Sequence, residues 1–309
     1  MDFPKISIIT PSLNQGEFVG DCIESVWNQE YPDLEHIIVD GGSTDNTIEI
    51  IQKYPQIKLF SEPGTGIYQA LNRGISQARG EIIGWINCDD IYERNIFSEI
   101  GKYFAEDKDL EVVSGGATIF SEGTEGKSRM VKSLLQSDLI KLSFKNITLG
   151  ISIVNAKFFR KILYQRIGLF NPQYQISADR EFLLRLALAG VKEKLAGKIF
   201  YHYRSHLKSL TISNTGKFPE RASQENLDIS ERYLVKNDLP AEAVKYLRRW
   251  HSRETFNLAI KKLKGNNLRG AMKYAARGLR KNYQWPLIAA FESLSITKNK
   301  IFRQFERKR

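Results

Sequence analysis

The first hundred residues alternate between short β-branched apolar runs and amphipathic stretches, and that alternation excludes most architectures. "KISIIT" (5–10), "EHIIVD" (35–40), "IKLFSE" (57–62) and "EIIGWIN" (81–87) have strand length and composition, and "LEVVSGGATIF" (110–120) is a fifth such run. Between them, "EFVGDCIESVWNQ" (17–29) sets Phe18, Cys22, Ile23, Val26 and Trp27 at helical spacing. "GGSTDNTIEIIQKY" (41–54) opens with a Gly-Gly turn and offers Ser43, Thr44 or Asp45 as a helix cap. "GIYQALNRGISQARG" (66–80) reads as a helix closing at Gly80. Strand, helix, strand, helix requires crossover connections, so the order predicts an α/β domain with a mostly parallel sheet flanked by helices. Ligands of such sheets lie beyond the carboxyl ends of the strands. The loops from Thr10 to Gly16, Asp40 to Asp45 and Asn87 to Asp90 should converge there, with Asp40 and Asp89 at the rim of one cleft.

The third loop belongs to "GWINCDD" (84–90), which sets Asp89 beside Asp90. Adjacent carboxylates repel and are best tolerated where water or a cation lies between them. A solvated strand-to-helix turn with an Asp cap is the alternative. Farther on, "SEGTEGKSR" (121–129) reads as a hairpin tip or mobile loop. "ISADREFLLRLALAG" (176–190) reads as a helix with Ser177 and Asp179 at its start, and "KIFYHYRSH" (198–206) as a strand of aromatic and basic residues. Beyond about residue 218 the pattern is helical, punctuated by Pro240, Gly265 and Pro286. Residues 257–286 resemble one helical hairpin of the tetratricopeptide type, too short for a solenoid. The expected division is an α/β domain over 1–217 and a basic helical region over 218–309.

No apolar run approaches the roughly 20 residues a membrane span needs. "MDFPKISIITP" has neither the apolar stretch nor the cleavage pattern of a secretory leader. The two cysteines, Cys22 and Cys88, lack metal spacing, which fits a reduced, cytoplasmic setting. The net charge of +11 is uneven: residues 241–309 carry +14 and residues 1–240 carry −3. Such asymmetry predicts an electrostatic partner for the tail. No nucleic-acid motif accompanies these scattered Lys and Arg residues, so an anionic membrane surface is expected rather than nucleic acid.

Five motifs, in this order, resemble glycosyltransferase family 2, the inverting enzymes of the GT-A nucleotide-diphospho-sugar transferase fold. They are "SIITPSLNQGEFVGDCIESVWNQ", "IIVDGGSTDNT", "GIYQALNRGI" followed by "GEIIGWINCDD", "SADREFLLRL" and "YRSHLKSLT", together spanning residues 5–212. The resemblance implies that a sugar moves from a nucleotide-diphospho-sugar, by default a UDP-hexose, to a glycan or polyprenyl-linked acceptor of polysaccharide assembly. It makes residues 1–217 the catalytic domain. It implies donor contacts from Thr10, Pro11, Ser12, Glu17, Asp40, Asn72, Asn87, Asp90 and Arg204. Asp40 would accept from a base ring N–H, with turn formation before Gly41 as its alternative.

A divalent cation, Mn2+ or Mg2+, neutralises a departing diphosphate without proton transfer. The resemblance makes Asp89 its first ligand and puts Asp90 behind it or against the sugar. His206 is either a second ligand or a residue that hydrogen-bonds in a turn, and His202 lacks the motif match. The chain departs from the family's D-x-D form because position 87 is Asn. With one acid fewer, metal binding is expected to be weak until the diphosphate arrives. Asn87 would instead donate to ribose or phosphate, and Arg204 would pair with the diphosphate.

Inversion needs one base on the acceptor side. Asp179 matches the start of the family's acidic helix, with a plain N-cap as the alternative. The helix dipole favours its anion, whereas a cleft would desolvate it. Glu181 is the second candidate, and Arg185 a structural ion-pair partner. An acceptor on a lipid would bring the basic region, with Lys261, Lys262, Lys264, Arg277, Arg280 and Lys281, to the inner face of the membrane as a peripheral attachment.

Three other functions are weighed. A nucleotidyltransferase would need a Gly-rich loop with a basic residue after the first strand, and "TPSLNQGE" has neither. A processive synthase would need spans and a Q-x-x-R-W motif, and "YLRRW" (246–250) lacks the Gln. A catalytically silent scaffold of the same fold is the different-class alternative, suggested by Asn87 and by Gln69, where many relatives carry Asp.

Overall fold

A computed structural model describes residues 3–122, 128–151, 153–206, 219–281 and 285. The chain divides into two compact units, residues 1–217 and 218–309. The first unit begins β1 (Ile6–Ser12), α1 (Val19–Trp27), β2 (Leu34–Asp40), α2 (Thr47–Ile51), β3 (Lys58–Ser61), α3 (Ile67–Gln77), β4 (Ile82–Trp85) and β5 (Ile91–Tyr92). It continues with α4 (Phe97–Glu106), β6 (Val112–Glu122), β7 (Ser128–Leu134), α5 (Ser137–Ile140) and α6 (Phe144–Leu149). It closes with β8 (Lys157–Arg160), α7 (Ile162–Ile167), α8 (Ala178–Leu188) and β9 (Glu193–Arg204).

These nine strands form one sheet in the order β3-β2-β1-β4-β8-β6-β9-β5, with β7 beside β6. β3, β2, β1 and β4 are mutually parallel, as crossover helices require. All seven residues of β1 are buried because both faces of this central strand are covered. Parallel pairing then stops. β8 is antiparallel to β4 and β6, β7 is antiparallel to β6, and β5 is antiparallel to β9. Only β6 and β9 resume a parallel pair. The sheet is therefore mixed, and the parallel character expected from the alternation belongs mainly to its first half. Residues 123–127 of the expected hairpin tip lie outside the described residues.

Ile6, Ile8, Cys22, Val26, Phe97 and Phe158 belong to the main core cluster, which joins the first helix, the sheet and α4. Two helix ends differ from expectation. α3 is capped at Ala78, not Gly80. The Gly80 N–H donates to Ser7 Oγ at 2.9 Å, and a Cβ there would lie 2.6 Å from Ser7 N, so glycine permits a close approach to β1. α2 starts at Thr47, later than the Gly-Gly turn suggested, and Asp45 accepts from the Thr47 N–H at 3.1 Å and from its hydroxyl.

β5 positions the site. This two-residue strand follows the acidic turn directly and pairs Ile91 with His202 and Tyr92 with Tyr201. It thereby fixes the carboxyl end of β9 beside residues 87–90.

The second unit contains α9 (Glu220–Leu234), α10 (Ala241–Lys264) and α11 (Leu268–Lys281). α10 packs against both other helices. Arg277 of α11 donates to Glu231 and Asp228 of α9 at 2.6 and 2.9 Å. The Trp285 indole N–H reaches Thr255 Oγ1 at 2.7 Å. Pro286 lies outside the described residues. No described helix is long and apolar enough to cross a membrane.

Candidate active site

The loops after β1 and β2 are joined by hydrogen bonds. Asn14 and Gln15 donate backbone N–H groups to Ser43 Oγ and Thr47 Oγ1, both at 2.8 Å. Gly16 N–H reaches Asp45 Oδ2 at 3.0 Å, and Asn14 Oδ1 accepts from Thr44 N at 2.8 Å. Asp40 forms the turn that makes this possible. Its Oδ1 accepts from the N–H groups of Gly42 and Ser43 at 2.9 and 2.7 Å, and its Oδ2 from the Ser43 hydroxyl at 2.5 Å. Gly42 takes φ +98°, and a Cβ would meet Pro63 at 3.2 Å. Asp40 is 1% exposed. Its position realises the turn-forming alternative rather than an open acceptor at the rim.

Thr10 is turned to the interior, where Oγ1 lies 2.9 Å from His36 Nε2. Pro11 is buried and Glu17 exposed. Ser12 Oγ is buried with no partner, a hydroxyl at a strand end in need of one.

At the acidic turn the two aspartates differ. Asp90 is 3% exposed and accepts from Tyr201 Oη at 2.7 Å, Arg204 N at 2.8 Å and Asn87 Nδ2 at 3.0 Å. Burial, then the neighbouring Asp89 charge, pushes its pKa well above the usual carboxylate range. Asp90 thus sits behind the turn and ties it to β9. Asp89 is the more open of the two, and its Oδ2 lies 3.0 Å from His206 Nε2. The His206 ring packs on Phe18 with centroids 4.8 Å apart. Residues 207–211 of the last motif lie outside the described residues.

Arg204 and Asn87 are committed differently from expectation. Arg204 Nη2 pairs with Asp21 at 2.8 Å, its Nε donates to the Asp89 carbonyl at 2.9 Å, and Phe18 and Phe120 flank the guanidinium. It is buried and braces the turn from behind, so it is not an open clamp for diphosphate. Asn87 donates to Asp90, which leaves Asn87 Oδ1 buried without a partner. Asn72 is a clear correction. Its amide exchanges two hydrogen bonds with the Phe170 backbone, at 2.8 and 3.0 Å, which occupies both polar ends in joining α3 to the loop before α8. Gln69 accepts from Gly66 N at 3.0 Å at the start of α3. His202 is held by Thr118 at 2.6 Å and Glu93 at 3.2 Å, apart from the Asp89–His206 pair.

Asp179 opens α8. Burial raises its pKa, and this outweighs the Arg180 charge and the hydrogen bonds from Arg180 N and Tyr68 that favour the anion. The low value expected from the helix dipole is not what the site provides. Arg180 holds the end of α6 through the Ile147 and Gly150 carbonyls at 2.5 and 3.0 Å. Glu181 is paired with Arg185 at 2.9 Å. Arg185 also donates to the Ile167, Gly168 and Leu169 carbonyls, the structural role read from its position. Tyr203 has its pKa raised by burial first and then by the charges of Asp90 and Asp179. Its hydroxyl donates to Asn155 Oδ1 at 3.2 Å, and Asn155 Nδ2 donates to Tyr201 Oη at 3.2 Å.

Asp21, Tyr201, Tyr203 and Asn155 are not among the residues that the sequence motifs assign to a site, and Phe18 shows there only as an apolar helix position. The signal for the tyrosines was the alternation in "FYHYR", which sends Tyr201 and Tyr203 to the face opposite His202 and Arg204.

Asp89 and His206 offer one carboxylate and one imidazole, ligands suited to Mn2+ and, through the oxygen, to Mg2+. Among the described residues no three His, Cys, Asp or Glu side chains gather into an all-protein metal site. The donor set fits a cation completed by phosphate oxygens and water.

Known proteins share the sequence family and the fold of this chain. The profile of the family described as "Glycosyl transferase family 2" matches residues 7–167. A PGL/p-HBAD biosynthesis glycosyltransferase of Mycobacterium bovis (strain BCG / Pasteur 1173P2) is 29% identical over 191 residues, 60% of this chain and 70% of that protein. S. aureus TarS 1–349 in complex with UDP-GlcNAc superposes with a TM-score of 0.61 at 18% identity, covering 92% of this chain and 81% of TarS. The mannosyltransferase PcManGT from Pyrobaculum calidifontis, in complex with GDP-Man and Mn2+, gives 0.59 at 17% identity over 95% and 88% of the two chains. Half of the sequence matches the family profile, and the mixed sheet is the GT-A sheet of these transferases. The chain belongs to glycosyltransferase family 2 and is a glycosyltransferase.

Proposed function

We propose that the chain is an inverting hexosyltransferase that moves a sugar from a UDP-sugar to a glycan or polyprenyl-linked acceptor, with Asp179 as general base and a divalent cation at Asp89. The observation that carries this reading is the pairing of Asp89 with His206 at the carboxyl edge of the sheet. The UDP-GlcNAc bound by TarS and the Mn2+ bound by PcManGT support the donor class and the cation.

In this reading the loops held by Asp40 and Asn14 receive the base through backbone and Pro11 contacts. Ser12 Oγ and Asn87 Oδ1, which lack protein partners, take hydrogen bonds from the donor. Asp89 and His206 would hold a divalent cation, which would supply charge neutralisation for the departing diphosphate. Arg204 and Asp90 act indirectly, by fixing the turn that presents Asp89. Asp179 removes the acceptor hydroxyl proton as the oxygen attacks the anomeric carbon opposite the leaving group. Its raised pKa makes it a stronger base than an ordinary Asp.

Charge supports the acceptor class. The basic helical region would meet an anionic bilayer at the inner face of the membrane, where a lipid-linked glycan is presented. A thermal-shift panel of UDP-, GDP- and dTDP-sugars with and without Mn2+ tests the donor, because a ligand of the folded state raises the melting temperature. The reading predicts that a UDP-sugar gives the largest, Mn2+-dependent shift. A largest shift with GDP- or dTDP-sugar would replace it. One observation favours a silent scaffold, namely that Asn87 and Asp90 bind each other and leave a single open carboxylate. Donor binding without release of nucleoside diphosphate, across lipid-linked and free glycans, would select that reading.

A further inference from the structure

The second unit exposes an apolar face that its described helices do not cover. On α11, Ala271 and Gly278 are buried, while Leu268, Met272 and Leu279 are 63%, 63% and 49% exposed. With the exposed Ala276 these residues are spaced by four, four and three, and so form one continuous stripe along the helix. The stripe adjoins the packed face on one side. On its other side run Arg269, Lys273 and Arg280, all exposed and without an acidic partner among the described residues. Of these three cations only Arg280 was among those first expected to form the basic surface. Lys262 pairs with Glu220 at 2.6 Å and Arg277 with Glu231 at 2.6 Å, so part of the positive charge is already neutralised within the unit.

We propose that this face of α11 is an interfacial docking surface for an anionic lipid bilayer. Leu268, Met272 and Leu279 would enter the headgroup boundary, and Arg269, Lys273 and Arg280 would meet lipid phosphates. An apolar stripe beside unpaired cations on one helix is the pattern that lies in the plane of such a surface. Two other occupants lack charge complementarity. The remaining residues, 286–309, carry six Lys/Arg against two Asp/Glu, and a second α11 would oppose like charges. The inference rests on the reading that the basic region meets an anionic membrane. It adds that the attachment is partly apolar and localised to one helix face.

The test is vesicle co-sedimentation of the full chain. Vesicles of phosphatidylcholine, with and without phosphatidylglycerol, are used at low and high salt. One variant carries Leu268→Gln, Met272→Gln and Leu279→Gln, and another carries Arg269→Gln, Lys273→Gln and Arg280→Gln. Melting temperature and donor binding are measured for each. The proposal expects wild-type protein to bind phosphatidylglycerol vesicles with a part that survives salt. It expects the apolar variant to bind at least about tenfold more weakly with an unchanged melting temperature. Wild-type affinity in the apolar variant, with loss only in the basic variant, would reject the stripe and leave electrostatic attachment standing. Failure of wild-type protein to bind at low salt would reject both. A lowered melting temperature of the apolar variant with normal vesicle binding would show that the chain itself covers the stripe. Loss of a solution dimer in that variant would assign the face to a second copy.

Discussion

Asp89 and His206, 117 residues apart, bring a carboxylate oxygen to 3.0 Å from an imidazole nitrogen. A cation bridging such a pair would replace their direct contact and complete its shell from the diphosphate. Metal binding and donor binding should therefore be coupled. Asp89→Asn is expected to abolish the Mn2+-dependent part of the donor thermal shift and to lower turnover by about 10²-fold or more. His206→Gln should weaken the same shift. Full turnover in excess EDTA would reject the assignment.

The pairing of Tyr201 with Asp90 predicts a stability effect instead. Tyr201→Phe removes one of three donors to a fully buried carboxyl group. Loss of a partner of that kind costs about 1–3 kcal/mol. The melting temperature should fall by several degrees, while Mn2+ still enhances donor binding. An unchanged melting temperature would mean that Asp90 is held by the other two donors alone.

The sequence made the parallel half of the sheet legible because its strands and helices repeat one burial pattern, visible in Ile6, Ile8, Ile37, Ile38, Ile82 and Ile83. It did not reveal the antiparallel half. β5 has two residues, too few for any periodicity, yet it decides what meets the acidic turn. Asp89 and His206 lie in contact, 3.0 Å apart. Arg204 and Asn72 do not fill the roles expected of them, because their partners are remote. Asp21 is 183 residues from Arg204, and Phe170 is 98 residues from Asn72. No local pattern carries such a pairing. The burial that raises the pKa of Asp179 is likewise tertiary and overrides the helix-terminus argument.

That raised pKa makes a kinetic prediction. A general base works only when ionised, so activity should decline as pH falls through the folded-state pKa of Asp179. The acid limb of kcat/KM should lie above the ordinary Asp value of about 3.9. Tyr68→Phe removes a hydrogen bond that favours the anion, and should move this limb to higher pH. Asp179→Asn should spare donor affinity and lower turnover by about 10²-fold or more. Near-normal turnover in a donor-binding Asp179→Asn protein would turn attention to Glu181.

His36 gives the last prediction, and it concerns stability alone. The ring is fully buried beneath β1, with Nε2 2.9 Å from Thr10 Oγ1 and Nδ1 unpartnered. Burial pushes its pKa down to about 3, because a charged imidazole would lose its hydration there. In the unfolded chain the value returns to about 6.5. Between those values the unfolded state binds a proton that the folded state refuses. The contribution of neutral His36 is therefore fully present above about pH 6.5 and is lost progressively as pH falls towards about 3, by about 1.4 kcal/mol per unit. His36→Gln cannot titrate. It should be less stable than wild type at pH 7.5, and the gap should close by that slope between about pH 6 and pH 4.5. Urea denaturation across this range measures it. Other titrating groups, His251 among them, are common to both proteins and cancel in the difference. Parallel stability curves for the two proteins would show that His36 is protonated in the fold.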